Sequence, residues 1–474
     1  MTKAEQLLTI KENVDLADQD WFRHYTFNVP ADATRLTATL DFVREDRLFL
    51  HLQLFDAQGQ FRGRGFSYNG KGQIHIELPV WLQGGPPRGL PGPLWPGEWI
   101  AEVEIRTVDK PAPYHLQVVA ELDSEPVADV TERDVTTAAR HSSRTGWVRG
   151  DLHAHTNESD GTLSVAAAVA IARERGLDFL ALSEHNTNSG WRHYPQLEDE
   201  NFVLLHAEEM TTGYGHGVAV GLKEWLDWRV GRIGDDTVRG VNDVMRHARE
   251  QGAIFFPAHP FIPNFDWRFM DTDWSLVTAL EVWGSASFSG SPGPTLRALG
   301  FWDVLLGKGY RIWAVGGSDA HRLDHPWQTV GIPFTYVHVD SFDEQGIVEG
   351  IRQGRIYVTL GPEMEFTAGD ASTPERKVMM GQELTVADKV ALSLQVRKFH
   401  GPLRVVLFRD GQVQQRINQP ERPDGQYDLQ YEYAVDRPCY YRVEIHRDPG
   451  RDGNEDASTL LAFSNPIFVG PKRD

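Results

Sequence analysis

Two hydrophobic textures alternate along the chain. Residues 47–54, 73–78, 99–105 and 114–119 place apolar and polar side chains by turns, the period of a strand with one buried face. D-A-Q-G at 56–59 and the proline- and glycine-rich run 84–97 interrupt that pattern where turns and loops belong. Several short strands with such punctuation predict a β-sandwich over residues 1–145; the run 84–97 reads as a surface loop, long enough to reach a neighbouring domain. From residue 146 the pattern changes. Continuous apolar runs at 179–182, 202–205, 253–256 and 312–315 read as buried strands. Between them lie helical stretches at 165–175, 236–250, 296–306 and 344–352. Ser164 is placed to cap the first of these, which Gly176 stops, and Gly252 ends the second. Alternating strands and helices predict a βα barrel or a doubly wound sheet over 146–362. After Gly361-Pro362 the strand texture returns at 390–396, 403–408, 440–445 and 460–463, with a hairpin signal at Arg409-Asp410-Gly411. A second β-sandwich over 363–474 is the expected result.

The chemistry gathers at the ends of the middle strands. G-D-L-H-A-H-T-N-E-S-D-G at 150–161 carries His153, His155 and Asp160. Alternate residues of a strand face the same way, so His-x-His aims two imidazoles at one point. Four further clusters follow: Glu184-His185-Asn186, Glu209 with His216, His259-Pro260, and Asp319-Ala320-His321. Each comes at the end of an apolar run, and functional groups in α/β folds collect at the carboxyl ends of strands. Imidazoles with carboxylates suit a borderline divalent cation such as zinc, iron or manganese. Arg322, next to the last cluster, reads equally as a clamp for a substrate anion or as a surface salt bridge. Asn186 is placed to brace the loop bearing His185. The aromatic run 260–274, beginning at Phe261, reads either as a substrate wall or as a plug on the barrel. His51, His75, His115, His193 and His206 lie outside the motifs and are expected to be structural or at the surface.

Charge and cysteine content narrow the picture. The net charge of −20 argues against a nucleic-acid surface, which would present basic patches. No apolar run reaches membrane-spanning length and the amino terminus lacks an apolar leader, so a cytoplasmic protein with no membrane partner is expected. Cys439 is the only cysteine. That leaves no disulfide framework and no thiolate metal site.

Taken together, the five ordered motifs resemble the PHP (polymerase and histidinol phosphatase) superfamily of metal-dependent hydrolases. G-D-L-H-A-H, E-E-M-T-T-G-Y-G-H, G-G-S-D-A-H-R and the closing A-F-S-N-P-I-F-V are similar to its CehA/McbA-type branch. The resemblance implies a distorted seven-stranded βα barrel, here flanked by the two β-sandwiches, with two or three divalent cations (zinc, manganese or iron). One cation would take His153, His155, Glu209 and Asp319; Glu209 would bridge to a second held by His216 and His259; Asp160, His185 and His321 would hold a third. The family spacing Glu-x-Thr-Thr-x-x-Gly-His selects Glu209 over Glu208 as the bridge. Glu184 and Ala258 stand where the family usually has Asp and often has Asn, which puts the support of the neighbouring imidazoles in doubt. His153, Glu209, Asp319 and His321 are the candidate catalytic residues; Arg322, Asn186 and Phe261 are candidates for substrate contact. The implied reaction is hydrolysis of a small-molecule ester, a phosphoester first and a carboxyl ester or carbamate second. A non-catalytic protein that binds carbohydrate or a partner through its β-domains is the reading from another class. Oligomeric state is not legible.

Overall fold

Alternating apolar and polar residues dominate both ends of the chain, and both ends fold as antiparallel sheets around a shared core. The computed structural model describes residues 3–45, 47–67, 70–82, 85, 87–122, 144–284, 293–322, 329–448 and 459–472; His325-Pro326 and nearly all of the polar link 132–144 lie outside them. Near the amino terminus, one sheet runs Lys3–Val14, Ala112–Leu122, Ala33–Arg44, Gly72–Trp81 in antiparallel order. The second contains Trp21–Val29, Gly97–Thr107, Phe49–Phe55 and Phe61–Gly65. Leu36, Leu40, Leu52, Trp99, Val103 and Leu116 fill the space between the sheets. The second sheet does not stop at its own segment: Gly231–Ile233 pairs in parallel with Trp21–Val29, and Thr237–Arg239 adds to that edge. Thr237–Arg239 falls where the helix 236–250 was expected to start. Instead G-R-I at 231–233 and T-V-R at 237–239 form a hairpin, with Gly231 and Gly234 both at positive φ. The helix is therefore only Val241–Glu250.

The outer face of that second sheet is buried against the middle segment, and its polar residues are correspondingly paired. Glu102, fully buried, accepts from Arg229 at 2.7 Å and sits 2.6 Å from His24 Nε2. Buried carboxylates demand such partners.

In the middle segment Gly146–Ala154, Phe179–His185 and Val203–Thr212 are parallel neighbours. Gly215–Val220 and Ile254–Pro257 continue the sheet, but antiparallel. Ala279–Gly284 and Trp313–Gly317 form a separate parallel pair lying between Ile254–Pro257 and Gly146–Ala154. All seven strands contribute to one buried core, including Val148, Phe179, Leu205, Val218, Phe256, Ala279 and Val315. A closed seven-stranded βα ladder, however, is not what joins them. The separate pair is tied in by single links: Thr278 N–H to Phe255 O at 2.9 Å, Asp319 N–H to His153 O at 2.8 Å, and His155 N–H to Ala320 O at 2.9 Å. Two of the steps are antiparallel because Gly213 and Tyr214 alone connect Val203–Thr212 to Gly215–Val220, and so short a loop permits only a hairpin.

The helices follow their signals. Ser164 Oγ accepts from Ala167 N–H at 3.2 Å and caps Val165–Glu174. Asp343 caps Glu344–Arg352, accepting from Gly346 N–H at 2.7 Å. Gly293–Gly307 is somewhat longer than the apolar spacing predicted. Among the described residues no helix is long and apolar enough to cross a membrane.

The middle sheet continues outward through Phe334–Val339 and Ile356–Thr359, the latter pairing with Leu460–Ser464 of the carboxyl-terminal region. One hydrogen-bonded sheet therefore passes from the middle segment into the last. Facing it there is a four-stranded sheet, Thr373–Met379, Glu363–Asp370, Lys389–Arg397, Tyr427–Ala434, over a core of Phe366, Leu394, Val405, Tyr441 and Ile445.

Candidate metal centre

Six imidazoles and three carboxylates, all nine residues marked by the sequence motifs, converge at one end of the middle strands. His153 ends a strand and His155 follows it; their Nε2 atoms face each other at 3.1 Å. Asp319 Oδ1 lies 3.4 Å from His153 Nε2 and 3.2 Å from His155 Nε2. Glu209 Oε1 lies 3.5 Å from His153 Nε2, 3.2 Å from His216 Nδ1 and 3.3 Å from His259 Nε2. Asp160 Oδ1 is 3.3 Å from Nε2 of both His185 and His321. Four overlapping groups result: His155-Asp160-His185-His321, His153-His155-Glu209, His153-His259-Asp319 and Glu209-His216-His259. Glu209 belongs to two of them, the placement a bridging carboxylate would occupy.

These distances fit cations better than hydrogen bonds. Charge-assisted bonds draw nitrogen and oxygen to about 2.7–2.9 Å. Donors that share a cation at about 2.0–2.2 Å stand roughly 3.0–3.5 Å apart, the range of the pairs just given; His185 Nδ1, 2.6 Å from Glu209 Oε2, is instead at hydrogen-bond distance. Asp160 Oδ1 is buried without a hydrogen-bond donor, as are the Nδ1 atoms of His155 and His259. Two facing imidazole nitrogens such as those of His153 and His155 need a proton or a cation between them. The donor set thus fits divalent metal ions.

Electrostatics agree. Burial opposes protonation of every imidazole here. At His153 the carboxylates of Glu281, Asp319 and Glu209 overcome burial and hold the pKa well above the imidazole range. Asp160 and Glu209 do the same for His185, and Asp319 and Asp160 raise His321 to about 9. His155 goes the other way, to about 3, through burial and the neighbouring His185 and His321; their rings stack on it at 4.2 and 4.3 Å. At His153, His185 and His321 the carboxylates outweigh burial, so the point where the nine side chains meet favours positive charge.

The backbone is shaped to deliver these groups. His259 and Asp319 have φ of +29° and +49°, and Asn186 of +59°; non-glycine residues rarely adopt such angles, and those that do cluster at functional sites. Asp151, within the same G-D-L-H motif, accepts from the N–H groups of His153 (3.1 Å), Ser318 (2.9 Å) and Gly331 (2.7 Å). Its carboxylate therefore clamps together the strands that carry His153 and Asp319. Gly317 permits the close approach: a Cβ there would fall on the Cβ of His153 and within 2.8 Å of Glu281 Oε1.

Glu281 is the residue the sequence reading missed. From the strand Ala279–Gly284 its Oε1 lies 3.0 Å from His153 Nδ1 and its Oε2 accepts from His259 N–H at 2.6 Å. One buried carboxylate thus holds the ring of His153 and the backbone that carries His259. Glu184, with burial raising its pKa to about 7, is enclosed by Thr156 and Ser159, accepting from Thr156 N–H at 3.0 Å. Glu208 points away from Glu209 and accepts from Leu226 N–H at 2.8 Å.

The centre opens into a cavity of about 760 Å³ lined by His185, His216, His259, Asp319 and His321 together with Arg322. Two of the three expected substrate residues are elsewhere. Phe261 packs its ring edge on Phe301 at 5.6 Å, and Ile262, Asn264 and Phe265 line the cavity instead. Asn186 exchanges hydrogen bonds with the Thr211 backbone, at 2.9 and 2.7 Å, so it braces the His185 loop and leaves no group free for substrate. The run 260–274 is both wall and plug: Phe265 stands against His216 at 5.4 Å and is 42% exposed, whereas Trp267 packs on Phe255 and Phe269. From the loop 84–97, Arg88 N–H donates to Glu158 Oε2 at 2.9 Å and its guanidinium to Ser159 O at 3.0 Å. The loop so supports the turn bearing Asp160 without lining the cavity.

No family model and no curated protein matches the sequence. Among solved structures, a two-domain protein from Bacteroides vulgatus containing a predicted PHP-like metal-dependent phosphoesterase shares 16% identity, with a TM-score of 0.38 over 69% of this chain and 95% of its own. An amidohydrolase from Chromobacterium violaceum, with bound sulfate and no metal, shares 16% identity with a TM-score of 0.27 over 38% of this chain and 89% of its own.

Proposed function

We propose that this chain is a metal-dependent hydrolase of the PHP class and CehA/McbA-type branch, cytoplasmic, acting on a small-molecule phosphoester. The observation that carries the reading is a convergence. Nine candidate ligand side chains meet at one point, and six of them (Asp160, His185, His216, His259, Asp319 and His321) line a cavity whose wall holds Arg106, anchored to Thr212 O at 2.7 Å and 3.4 Å from His216 Nε2. Arg322 lines the same cavity. Guanidinium groups beside a dinuclear or trinuclear site suit phosphoryl oxygens, whereas a carboxyl ester or carbamate presents one polar carbonyl and has no need of them.

His153, His155, Glu209 and Asp319 would hold one cation, Glu209, His216 and His259 a second, and Asp160, His185 and His321 a third. Bound there, zinc, manganese or iron would lower the pKa of water toward neutrality and stabilise charge on the phosphoryl oxygens. The chain's own part is positional. Glu281 and Asp151 fix the imidazoles and the strands that carry them, Arg106 and Arg322 receive the anion, and Phe265 closes one wall against water.

The test is metal analysis of the purified protein, then assay of 4-nitrophenyl phosphate, bis(4-nitrophenyl) phosphate and 4-nitrophenyl acetate with zinc, manganese and iron in turn. Metal-dependent phosphate release, lost in His153→Ala, is the expected result. Turnover of the acetate alone would replace phosphoester with carboxyl ester. Absence of both metal and turnover would leave a binding protein.

A further inference from the structure

Apart from the two ligands Asp160 and Asp319, the cavity wall carries five cationic side chains and no carboxylate: Arg47, Lys71, Arg106, Arg268 and Arg322. In a chain with 20 more acidic than basic residues, such a concentration is not the average surface. Three of the five come from the amino-terminal sandwich. Arg47 and Lys71 precede the strands Phe49–Phe55 and Gly72–Trp81, and Arg106 lies in Gly97–Thr107. Arg106 is committed to the edge of the metal centre by its bonds to Thr212 and His216. Arg268 donates to Gly213 O and lies 3.9 Å from Asp266. Arg47 and Lys71 are exposed side chains that form no ion pair among the described residues.

This is more positive charge than one phosphoryl group calls for. A phosphate ester dianion seated on two or three divalent cations, with Arg106 and Arg322 beside it, is already neutralised. Arg47 and Lys71 would then only repel one another and their neighbours in a half-enclosed space, where charges are screened less than in bulk water. Their side of the cavity also carries Phe49, facing the same space as Phe265.

We propose that the amino-terminal sandwich supplies a second anion subsite, Arg47 with Lys71, and that the substrate is a phosphoester bearing a second anionic group, phosphate or carboxylate, on an apolar body lying along Phe49 and Phe265. This rests on the phosphoester reading above and deepens it.

Three probes with the same reacting group test it: 1,4-butanediol monophosphate, 1,4-butanediol bisphosphate and 4-(phosphonooxy)butanoate. Binding is measured separately, using butylphosphonate and butane-1,4-bisphosphonate, which are not hydrolysed, with the metal-loaded protein. The expected result is a kcat/KM for both probes with a second anionic group at least tenfold above the monophosphate, carried by KM. The bisphosphonate should bind tighter than the monophosphonate by a similar factor. A preference for the bisphosphate over the carboxylate, or the reverse, identifies the second anion. In the double variant Arg47→Ala, Lys71→Ala, with an unchanged thermal midpoint as proof of folding, both ratios should fall toward one; Arg47→Lys with Lys71→Arg should restore them. Equal handling of probes with one and with two anionic groups by the native protein, or ratios that survive the double alanine variant, would overturn the subsite. If no phosphate is released from any probe, the phosphoester reading fails by itself, and the phosphonate binding ratio still decides the subsite.

Discussion

The two β-sandwiches flanking the middle segment look alike in sequence and do opposite things. The amino-terminal one meets the carboxyl ends of the ligand-bearing strands and places Arg47, Phe49, Lys71, Arg106 and Thr107 on the cavity wall. The carboxyl-terminal one continues the middle sheet through Leu460–Ser464 and, among the described residues, contributes none to the lining. Its contact is structural. Asn465, fully buried, accepts from Ala314 N–H at 2.8 Å and donates to Ala314 O at 2.8 Å and Ile356 O at 3.1 Å. It thereby fixes the strand Trp313–Gly317, which leads to Asp319. Arg442 pairs with Asp303 of the helix Gly293–Gly307 at 2.7 Å. Strand texture gives a sandwich in both cases; where the sandwich meets the middle segment decides whether it shapes the substrate or the scaffold.

The largest effect should leave that contrast untouched. Stripping the cations with a chelator is expected to lower phosphoester hydrolysis by about a thousandfold or more, since the chemistry of such sites depends on the metal. Zinc, manganese or iron should restore it. Full activity in protein shown by elemental analysis to be metal-free would remove the ground on which both sandwiches are being compared.

Asn465→Ala tests the scaffold side. It strands the buried N–H and O of Ala314, each worth about 1–3 kcal/mol when left unpaired. Unfolding free energy should drop by about 2–4 kcal/mol, while the preference between probes with one and with two anionic groups stays as it was. A shift in that preference at unchanged stability would mean the carboxyl-terminal sandwich also reads the substrate, and the contrast would break.

Between the two sandwiches, Glu281→Gln asks how far the metal centre is tuned from within. The amide can accept from only one of His153 and His259 and turns its NH2 toward a second donor. Removing such support typically costs about 10–100-fold in metal affinity, to be read by competition with a chromophoric chelator. Retained affinity would show that the imidazoles are held by their strands alone.

What could be read from the chain divides along physical lines. The convergence of the nine candidate ligands was legible because metal chemistry admits few residue types and strand ends give them a fixed spacing. Glu281 was not, because one glutamate in A-L-E-V-W-G looks like the polar position of an ordinary alternating strand; only burial beside His153 and His259 marks it. Arg47, Lys71 and Arg106 carried no signal, since they reach the centre from another region of the sequence. The aromatic run 260–274 was visible, yet not which ring faces inward: the turn after His259, closed by His259 O accepting from Ile262 N–H at 3.0 Å, directs Phe265 to the cavity and Phe261 to Phe301. The expected distorted seven-stranded βα barrel is met in part: seven strands share one core, but their pairing departs from a βα ladder at one local step. T-T-G-Y-G-H folds as a tight hairpin, which reverses a strand that a βα unit would have kept parallel.

The smallest predicted effect concerns neither sandwich and so calibrates both. His206 lies on the strand that carries Glu209, and its N–H and ring meet Glu344, the first residue of the helix Glu344–Arg352, at 2.6 and 2.9 Å. Burial lowers the pKa of His206, but the Glu344 carboxylate outweighs it and the net direction is upward. A histidine whose pKa is higher folded than unfolded holds more protons in the native state, so its stabilising contribution is complete below about pH 6.5 and disappears as pH rises through the folded value. With both partners partly solvated the amount is about 1 kcal/mol or less. In metal-saturated protein, where the ligand imidazoles no longer exchange protons freely, denaturant unfolding should show the wild type losing this increment above pH 6.5 and His206→Gln losing none of it. Parallel curves for the two proteins from pH 6 to 9 would show that the pair is neutral. The strand bearing Glu209 would then owe its position to packing and to the sheet alone.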